Sequence, residues 1–322
     1  VNGGVISQWG VSSRAGSDDL FVIEADESDR SFVGYEPAHV LITNIAPDHL
    51  DFYGTLDAIL EAFEAFARTA TDSIVLCADD SGTEELSSRL SGAARIVTYG
   101  VSPQADVIMS DVVAGPAARF LVRHRGESVP VELSVAGRLP ALNATGVIAL
   151  LIQLGLSLGD AAEALAGFQG ADRRFQHHGT LSGVRFFDDH AHHPTEVAAA
   201  LETARAVVGE GRVITMFQPH LFSRTQYMAA ELAAAFAAGS DHTIFLDIFG
   251  SREDPIEGVT TQLILDKLPT GTSYDFEPDW DKACGLAVSR AQPGDLVLTM
   301  STGDLYQIVP QLLAAKRRRD GH

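Results

Sequence analysis

The second half of the chain alternates short apolar runs with longer amphipathic segments, and this rhythm constrains the fold more than any other feature. Each run has five or six residues and ends near polar side chains, as strands buried in a parallel sheet do. The predicted strands are 184–188, 212–217, 243–247 and 295–300, and the predicted helices are 195–208, 227–238, 260–268 and 279–291. This alternation predicts an α/β domain with a mainly parallel sheet.

The first half predicts a second α/β unit with a different edge. Two apolar runs, 20–25 and 40–44, end in polar residues as parallel strands do, and the apolar spacing of 56–69 predicts a helix before a further strand, SIVLCA. From 105 to 135 short alternating segments surround a turn at Arg125–Gly126, which predicts an antiparallel edge. Two helices follow, at 141–154 and 158–168. The predicted domains are 1–171 and 172–322.

Composition excludes several classes of protein. The formal net charge of −20 argues against nucleic acid and anionic membranes as partners. No apolar run approaches the roughly 20 residues of a membrane span, so membrane insertion is not expected. Cys77 and Cys284 are far apart and form no metal-ligand spacing, which favours the reducing cytoplasm. We expect the basic run at 316–319, KRRR, to be a solvated tail.

The distribution of lysine shows that the sequence has no phosphate-binding loop of the glycine-rich type. The first lysine in the chain is Lys267, and a phosphate-binding loop needs a lysine directly after its glycines. The residue at position 1 is Val1, not methionine. We therefore expect a chain that lacks a preceding part.

Two polar clusters follow the predicted strands of the first half. Glu24 opens the segment EADESD, and His49 lies within the segment DHLD at 48–51. Ligands gather at the carboxyl ends of strands in open α/β sheets, and carboxylates with an imidazole suit Mg²⁺ or Mn²⁺ beside phosphates. The alternative is that the acids cap helices and the histidine packs within a loop.

The second half has three further clusters. Histidines 190, 192 and 193 follow a strand and could bind zinc, but they have neither a cysteine nor the HExxH spacing, and the alternative is that they satisfy loop backbone groups and cap the next helix. His220 and Arg224 follow another strand and could grip a carboxylate or phosphate, or form a salt bridge. The pair Arg173–Arg174 could contact phosphate or form a salt bridge at the domain junction.

Six segments occur in an order that resembles the Mur ligase family. They are EADESDRSF, TNIAPDHLDFYGT, FQGADRRF, FDDHAHHPTEV, FQPHLFSRT and LDIFGSREDP. The resemblance runs from about Asn2 to Asp304 and implies a central ATPase-type domain, from just past its phosphate loop onward, followed by a Rossmann-like C-terminal domain. It is closest to the branch that joins L-alanine to UDP-N-acetylmuramic acid.

The resemblance also implies the chemistry. ATP would phosphorylate the muramyl carboxylate, and the amine of L-alanine would displace the phosphate, with Mg²⁺ or Mn²⁺ balancing charge. It implies roles for nine residues. These are Glu24 and His49 facing the metal; Asn143, Arg174 and Asp189 binding the nucleotide; His190 in the amino-acid pocket; and His192, His220 and Arg224 as catalytic and amino-acid-binding residues.

Departures from the family pattern keep two other functions open. Leu139 replaces a histidine near the adenine, and His190 replaces a tyrosine in the amino-acid pocket. One alternative is the related ligase that recycles murein tripeptide, although that branch tends to have tyrosine where this chain has Ser28. The other is a non-catalytic nucleotide-binding remnant. Without the N-terminal domain that the resemblance implies, we expect the 322 residues to be inactive alone.

Overall fold

The computed structural model describes residues 1–17, 19–113 and 115–321, without the side chain of Asp51. The chain divides into two compact units, Val1–Gln169 and Gly170–His322. The two predicted domains, 1–171 and 172–322, stay a prediction. No helix in the described ranges has both the length and the apolar character that a bilayer crossing requires.

The first unit contains one six-stranded sheet whose strands follow chain order. The strands are β1 (His39–Ile42), β2 (Ser73–Cys77), β3 (Arg95–Gly100), β4 (Val107–Val113), β5 (Ala118–His124) and β6 (Glu127–Leu133). Strands β1 to β4 pair in parallel, whereas β4–β5 and β5–β6 pair antiparallel. The prediction of a parallel sheet with an antiparallel edge is therefore confirmed.

Three of the five described α-helices of this unit begin at a residue whose side chain caps the helix: Thr55, Asp80 and Ser157. The helices are α1 (Leu50–Tyr53), α2 (Leu56–Ala67), α3 (Ser81–Arg89), α4 (Arg138–Gln153) and α5 (Leu158–Leu165). Helix α2 starts where the Thr55 hydroxyl accepts the Ala58 N–H at 3.2 Å, and it buries Ile59, Leu60 and Phe66. Helix α4 packs on the sheet core, where Ile148 is fully buried.

The prediction of a strand at 20–25 is wrong. No strand is assigned there, and Leu20, Phe21 and Val22 are 53%, 75% and 66% exposed. Its described backbone partner is Val1, whose N–H donates to Val22 O at 2.7 Å and whose carbonyl accepts Glu24 N–H at 3.0 Å. An apolar run becomes a buried strand only when neighbours pair with it and cover its faces, and two hydrogen bonds to one residue provide neither.

The second unit is built around another six-stranded sheet, in the order β11-β10-β9-β12-β8-β7. The strands are β7 (Gln176–Leu181), β8 (Val184–Asp189), β9 (Val213–Phe217), β10 (His242–Phe245), β11 (Tyr274–Phe276) and β12 (Leu296–Met300). All pairs are parallel except β7–β8. The helices are α6 (Pro194–Val208), α7 (Phe222–Gly239), α8 (Gln262–Leu265), α9 (Trp280–Arg290) and α10 (Val309–Asp320). The predicted alternation is confirmed, whereas β7, β11 and α10 were not anticipated.

The basic run at 316–319 is helical and not a free tail, although three of its four side chains, those of Arg317, Arg318 and Arg319, are exposed. It lies in α10, where Lys316 is only 5% exposed and its ammonium lies 3.0 Å from the Asp320 carboxylate. The Arg319 guanidinium donates to Val288 O of α9. The four-carbon stem of a lysine can pack against apolar surface while its charge is paired. A prediction made from the charge of the segment alone therefore could not indicate that Lys316 is buried.

The fold places three strand ends side by side in the second unit. Met300, the last residue of β12, is the register partner of Asp189 at the end of β8 and of Phe217 at the end of β9. Residues that directly follow these strands therefore share one edge of the sheet, where open α/β sheets bind ligands.

We predict that Gly82→Ala strongly destabilises the first unit. A Cβ at Gly82 would lie 2.2 Å from Ile45 O, in the loop that leads to His49, and this loop is also held by the Ile45 N–H donated to Asp80 at 3.1 Å. The loop must move or the helix must shift, at a cost of roughly 1–3 kcal/mol. Urea unfolding followed by circular dichroism measures the loss. Gly159→Ala, in α5, is the matched control and should not destabilise, because an added Cβ would meet only Ser157 Oγ, at an ordinary contact distance of 3.9 Å.

Candidate active site

Two buried aspartates end strand β8. Asp189 accepts the N–H of Phe175 and the N–H of Ala191, both at 2.7 Å, with one carboxylate oxygen each. Asp188 accepts the Thr299 hydroxyl at 2.8 Å. Burial raises the pKa of each carboxyl to about 6, against these hydrogen bonds, which lower it. Asp189 thereby fixes the loop after β8 and the segment before β7.

The Arg173 side chain lies beside the end of β8 and the loop that follows β12. Its Nε is 3.5 Å from the Asp188 carboxylate, which is 1% exposed. The guanidinium donates to the carbonyl oxygens of Ser301, Thr302 and Gly303 in the loop after β12. It also lies over the Tyr306 ring, 4.4 Å from the centroid. Arg173 thus ties β8 to the 301–303 loop.

The loop between β8 and α6 carries three histidines in different environments. His193 is the N-cap of α6 and forms a capping box with Glu196, so the capping interpretation holds for this histidine. The Nδ1 atom of His192 lies 2.9 Å from His190 O and 3.1 Å from a Glu196 carboxylate oxygen. The rings of His190 and His192 meet edge to face, with centroids 5.5 Å apart.

His220 and Arg224 meet at the start of α7. The Arg224 guanidinium is buried and donates to His220 Nδ1 at 2.9 Å. Phe249 stacks on the His220 ring with centroids 6.0 Å apart, and its N–H donates to Pro219 O at 2.8 Å. The His220 ring also lies edge to face with His192, at 5.5 Å between centroids. The two histidine clusters therefore form one continuous group.

We predict that His190 and His220 stay neutral well below pH 6. Burial, reinforced by the positive charges of Arg174 and Arg224, lowers the pKa of His190 to about 4 and that of His220 to about 3. Because both folded values lie below 6.5, acid favours the unfolded state, and stability falls as the pH drops from 6.5 toward 4. Imidazole NMR titration from pH 8 to 4.5 should show little protonation of either ring. The urea-unfolded chain is the control, and ordinary titration of both rings in the folded chain would contradict the prediction.

In the first unit, His49 lies beside two carboxylates. Its Nε2 is 3.6 Å from Glu27 and 3.9 Å from Asp48. Glu24 accepts the Gly3 N–H at 2.6 Å. Across residues 1–17, 19–113 and 115–321, no group of three histidine, cysteine or acidic side chains has the geometry to bind a metal ion. The carboxylates of Glu27 and Asp48 nevertheless fit a magnesium ion that draws its other ligands from phosphates and water.

Asn143 lies on the exposed side of α4, near its start, and Leu139 one turn earlier is 46% exposed. The structure therefore brings together His190, His192, His220 and Arg224, with Asp189 and Arg174 nearby in the same unit. It pairs His49 with Glu27 and Asp48, whereas Glu24 contacts backbone. The roles assigned to these residues stay predictions.

Sequence reasoning missed Glu196 and Phe249, and although it left a salt bridge open for the pair Arg173–Arg174, it did not single out Arg173. Glu196 could have been found, because its i,i+4 spacing from His192 places both at the first turn of α6. Of the arginine pair, Arg173 is the half-buried member, whereas the Arg174 side chain is 58% exposed and 4.0 Å from Glu196. Nothing in the sequence distinguishes the two.

A parallel sheet with convergent histidines, arginines and buried aspartates at its strand ends defines a ligand-binding α/β enzyme domain. Models of two families match the chain: "Mur ligase middle domain" over residues 12–151 and "Mur ligase, glutamate ligase domain" over residues 173–303. The chain belongs to the Mur ligase family.

Individual members of the family are similar to the chain over nearly its whole length. The chain is 48% identical over 321 residues to UDP-N-acetylmuramate–L-alanine ligase of Clavibacter sepedonicus, and this match covers 100% of the chain and 67% of that protein. It is 39% identical to the ligase of the same name from Mycobacterium marinum, over 98% of the chain and 67% of that protein. The crystal structure of UDP-N-acetylmuramate–alanine ligase from Thermotoga maritima is 25% identical, with a TM-score of 0.80 over 99% of this chain and 68% of that one.

Proposed function

We propose that the chain carries the nucleotide-binding and amino-acid-binding parts of an enzyme that uses ATP to join L-alanine to UDP-N-acetylmuramic acid. The observation that carries the proposal is the group of His192, His220 and buried Arg224 at the strand ends of the second unit. The likeness to ligases of this name over the whole chain supports it. The proposed place of action is the cytoplasm, in keeping with the free thiols of Cys77 and Cys284.

The residues of the second unit would bind and activate the amino acid. Arg224 would donate hydrogen bonds to the carboxylate of L-alanine, since a guanidinium matches a carboxylate geometrically. His192 would take a proton from the ammonium group, which leaves an amine with a lone pair. That amine attacks the acyl phosphate carbon, inorganic phosphate departs with the electrons of the broken C–O bond, and the second proton lost from the nitrogen passes to the departing phosphate.

The first unit would face the nucleotide and its phosphates. His49 and Glu24, with Glu27 and Asp48 close to His49, would lie beside a divalent ion, and Asn143 would contact the adenine. In the second unit, Arg174 would contact phosphate and Asp189 the ribose, since each oxygen of Asp189 has a second lone pair beside its backbone bond. A bound Mg²⁺ would neutralise charge on the transferred phosphoryl group.

The test is a phosphate-release assay on the chain joined to the N-terminal region of its Clavibacter relative. The reactions contain UDP-N-acetylmuramic acid, ATP and Mg²⁺, with L-alanine or a murein tripeptide. We expect release that depends on L-alanine and none from the 322-residue chain alone, which has no glycine-rich segment followed by lysine. Release only with tripeptide would move the function to murein recycling. If a folded protein releases no phosphate with either L-alanine or the tripeptide, that result would favour a nucleotide-binding protein without turnover.

A further inference from the structure

One carboxylate oxygen of Glu196 lies within hydrogen-bond distance of three nitrogen atoms. Its Oε2 lies 3.1 Å from the backbone N of His192, 3.2 Å from the backbone N of His193 and 3.1 Å from His192 Nδ1. Its Oε1 lies 4.0 Å from the Arg174 guanidinium. Glu196 therefore contacts both the histidine proposed to activate the amino acid and the arginine proposed to contact phosphate.

These contacts determine where the hydrogen of neutral His192 lies. His190 O and the Glu196 carboxylate lie beside Nδ1, and both groups accept hydrogen bonds. The carboxyl of Glu196 is ionised at neutral pH because the neighbouring His192 and the backbone N–H groups lower its pKa against the effect of burial. Nδ1 must therefore carry the hydrogen, and Nε2 has the lone pair.

The neighbouring histidine has the opposite arrangement. Arg224 has only donors, so His220 Nδ1 must accept its hydrogen bond, and the hydrogen of neutral His220 lies on Nε2. The two rings meet edge to face. The two neighbouring rings thus have one accepting Nε2 and one donating Nε2, a pair that suits an ammonium and an oxygen respectively.

We propose that Glu196 is a positioning residue for the ligation reaction. It fixes His192 with a protonated Nδ1, so that Nε2 accepts the proton of the incoming ammonium group, and it connects this histidine to Arg174. This inference rests on the proposed function. Glu196 touches neither substrate nor reacting atoms, and acts through His192 and Arg174.

The ordinary role of Glu196 as part of the capping box must be separated from this one. Glutamine retains a carbonyl oxygen for the backbone N–H groups and keeps the cap, but it removes the negative charge beside His192. Glu202, exposed on the same helix, provides the matched control. Several titratable or charged groups surround His192 and stay unchanged in both variants: Arg174, Asp189, His190, His193, His220 and Arg224.

The first measurement is long-range ¹H–¹⁵N NMR of the 322-residue chain. We expect neutral His192 in the Nδ1–H form and neutral His220 in the Nε2–H form. Glu196→Gln should lower the pKa of His192 by about one unit, because an opposite charge is lost, and Glu202→Gln should not. An Nε2–H form of His192, or an unchanged His192 pKa in Glu196→Gln, would overturn the inference.

The second measurement uses the fusion protein of the phosphate-release assay. Glu196→Gln should lower kcat roughly three- to tenfold and move the acid limb of its pH profile to lower pH by the same unit, with the KM for L-alanine little changed. A purely capping role would leave the profile in place, and that result would contradict the inference. Failure of the wild-type protein to ligate would instead refute the proposed function, whereas the NMR result would stand by itself.

Discussion

Replacing Arg224 by alanine is expected to lower kcat/KM for L-alanine by about 10²- to 10³-fold, without unfolding the second unit. The charge pair that is lost is the Arg224 guanidinium with the carboxylate of bound L-alanine. Removing one partner of a buried, hydrogen-bonded charge pair costs about 2–5 kcal/mol, and about 1.4 kcal/mol corresponds to a factor of ten in kcat/KM. Arg224 is buried beside His220, so its charge is poorly screened by solvent. The loss should fall on L-alanine and leave the KM for ATP nearly unchanged.

Two further variants make this expectation specific. Arg224→Lys keeps the charge but not the planar fork, and should recover only part of the activity. Arg317→Ala, an exposed arginine on α10, is the matched control and should ligate normally. In Arg224→Ala the pKa of His220 should also rise, because the Arg224 charge is the largest cause of its depression after burial. Equal loss in both alanine variants, or none in Arg224→Ala, would contradict the role of Arg224.

The sequence predicts four of the six described strands of the second unit, β8, β9, β10 and β12, because each is a short and mainly apolar run. Buried strands of a parallel sheet have no polar face, and β9 and β12 are buried at every position. The same criterion failed at 20–25, since apolarity shows that a segment could be buried and not that a partner strand exists. It also missed β7, whose segment QHHGTL is polar and pairs on one side only.

The candidate site was predictable as a set of residues but not as a geometry. Strand-end positions placed His192, His220 and Arg224 at one edge of the sheet, because parallel strands end together. Which nitrogen of each histidine carries hydrogen depends on acceptors from other segments, such as Glu196 and His190 O. Sequence cannot supply such contacts, and it gave no reason to assign the buried position to Arg173 and the exposed one to Arg174.

Arg173→Met is expected to destabilise the second unit by about 3–5 kcal/mol. Removing one partner of a buried ion pair leaves an uncompensated charge, here that of Asp188, which is 1% exposed. The variant also leaves the carbonyl oxygens of the 301–303 loop without the guanidinium donor. Methionine keeps most of the apolar stem, so the loss reports on charge and hydrogen bonding and not on volume.

A double-mutant cycle with Asp188→Asn separates these two contributions. Asparagine removes the buried negative charge and can still accept the Thr299 hydroxyl, so it should restore part of the stability lost in Arg173→Met. What it does not restore measures the contacts of Arg173 with the loop and Tyr306. Because burial raises the pKa of Asp188 to about 6, Arg173→Met should lose less stability at pH 5, where the carboxyl takes up a proton, than at pH 8. Urea unfolding at both pH values measures the cycle, and additive effects at pH 8 would show that Arg173 and Asp188 are not coupled.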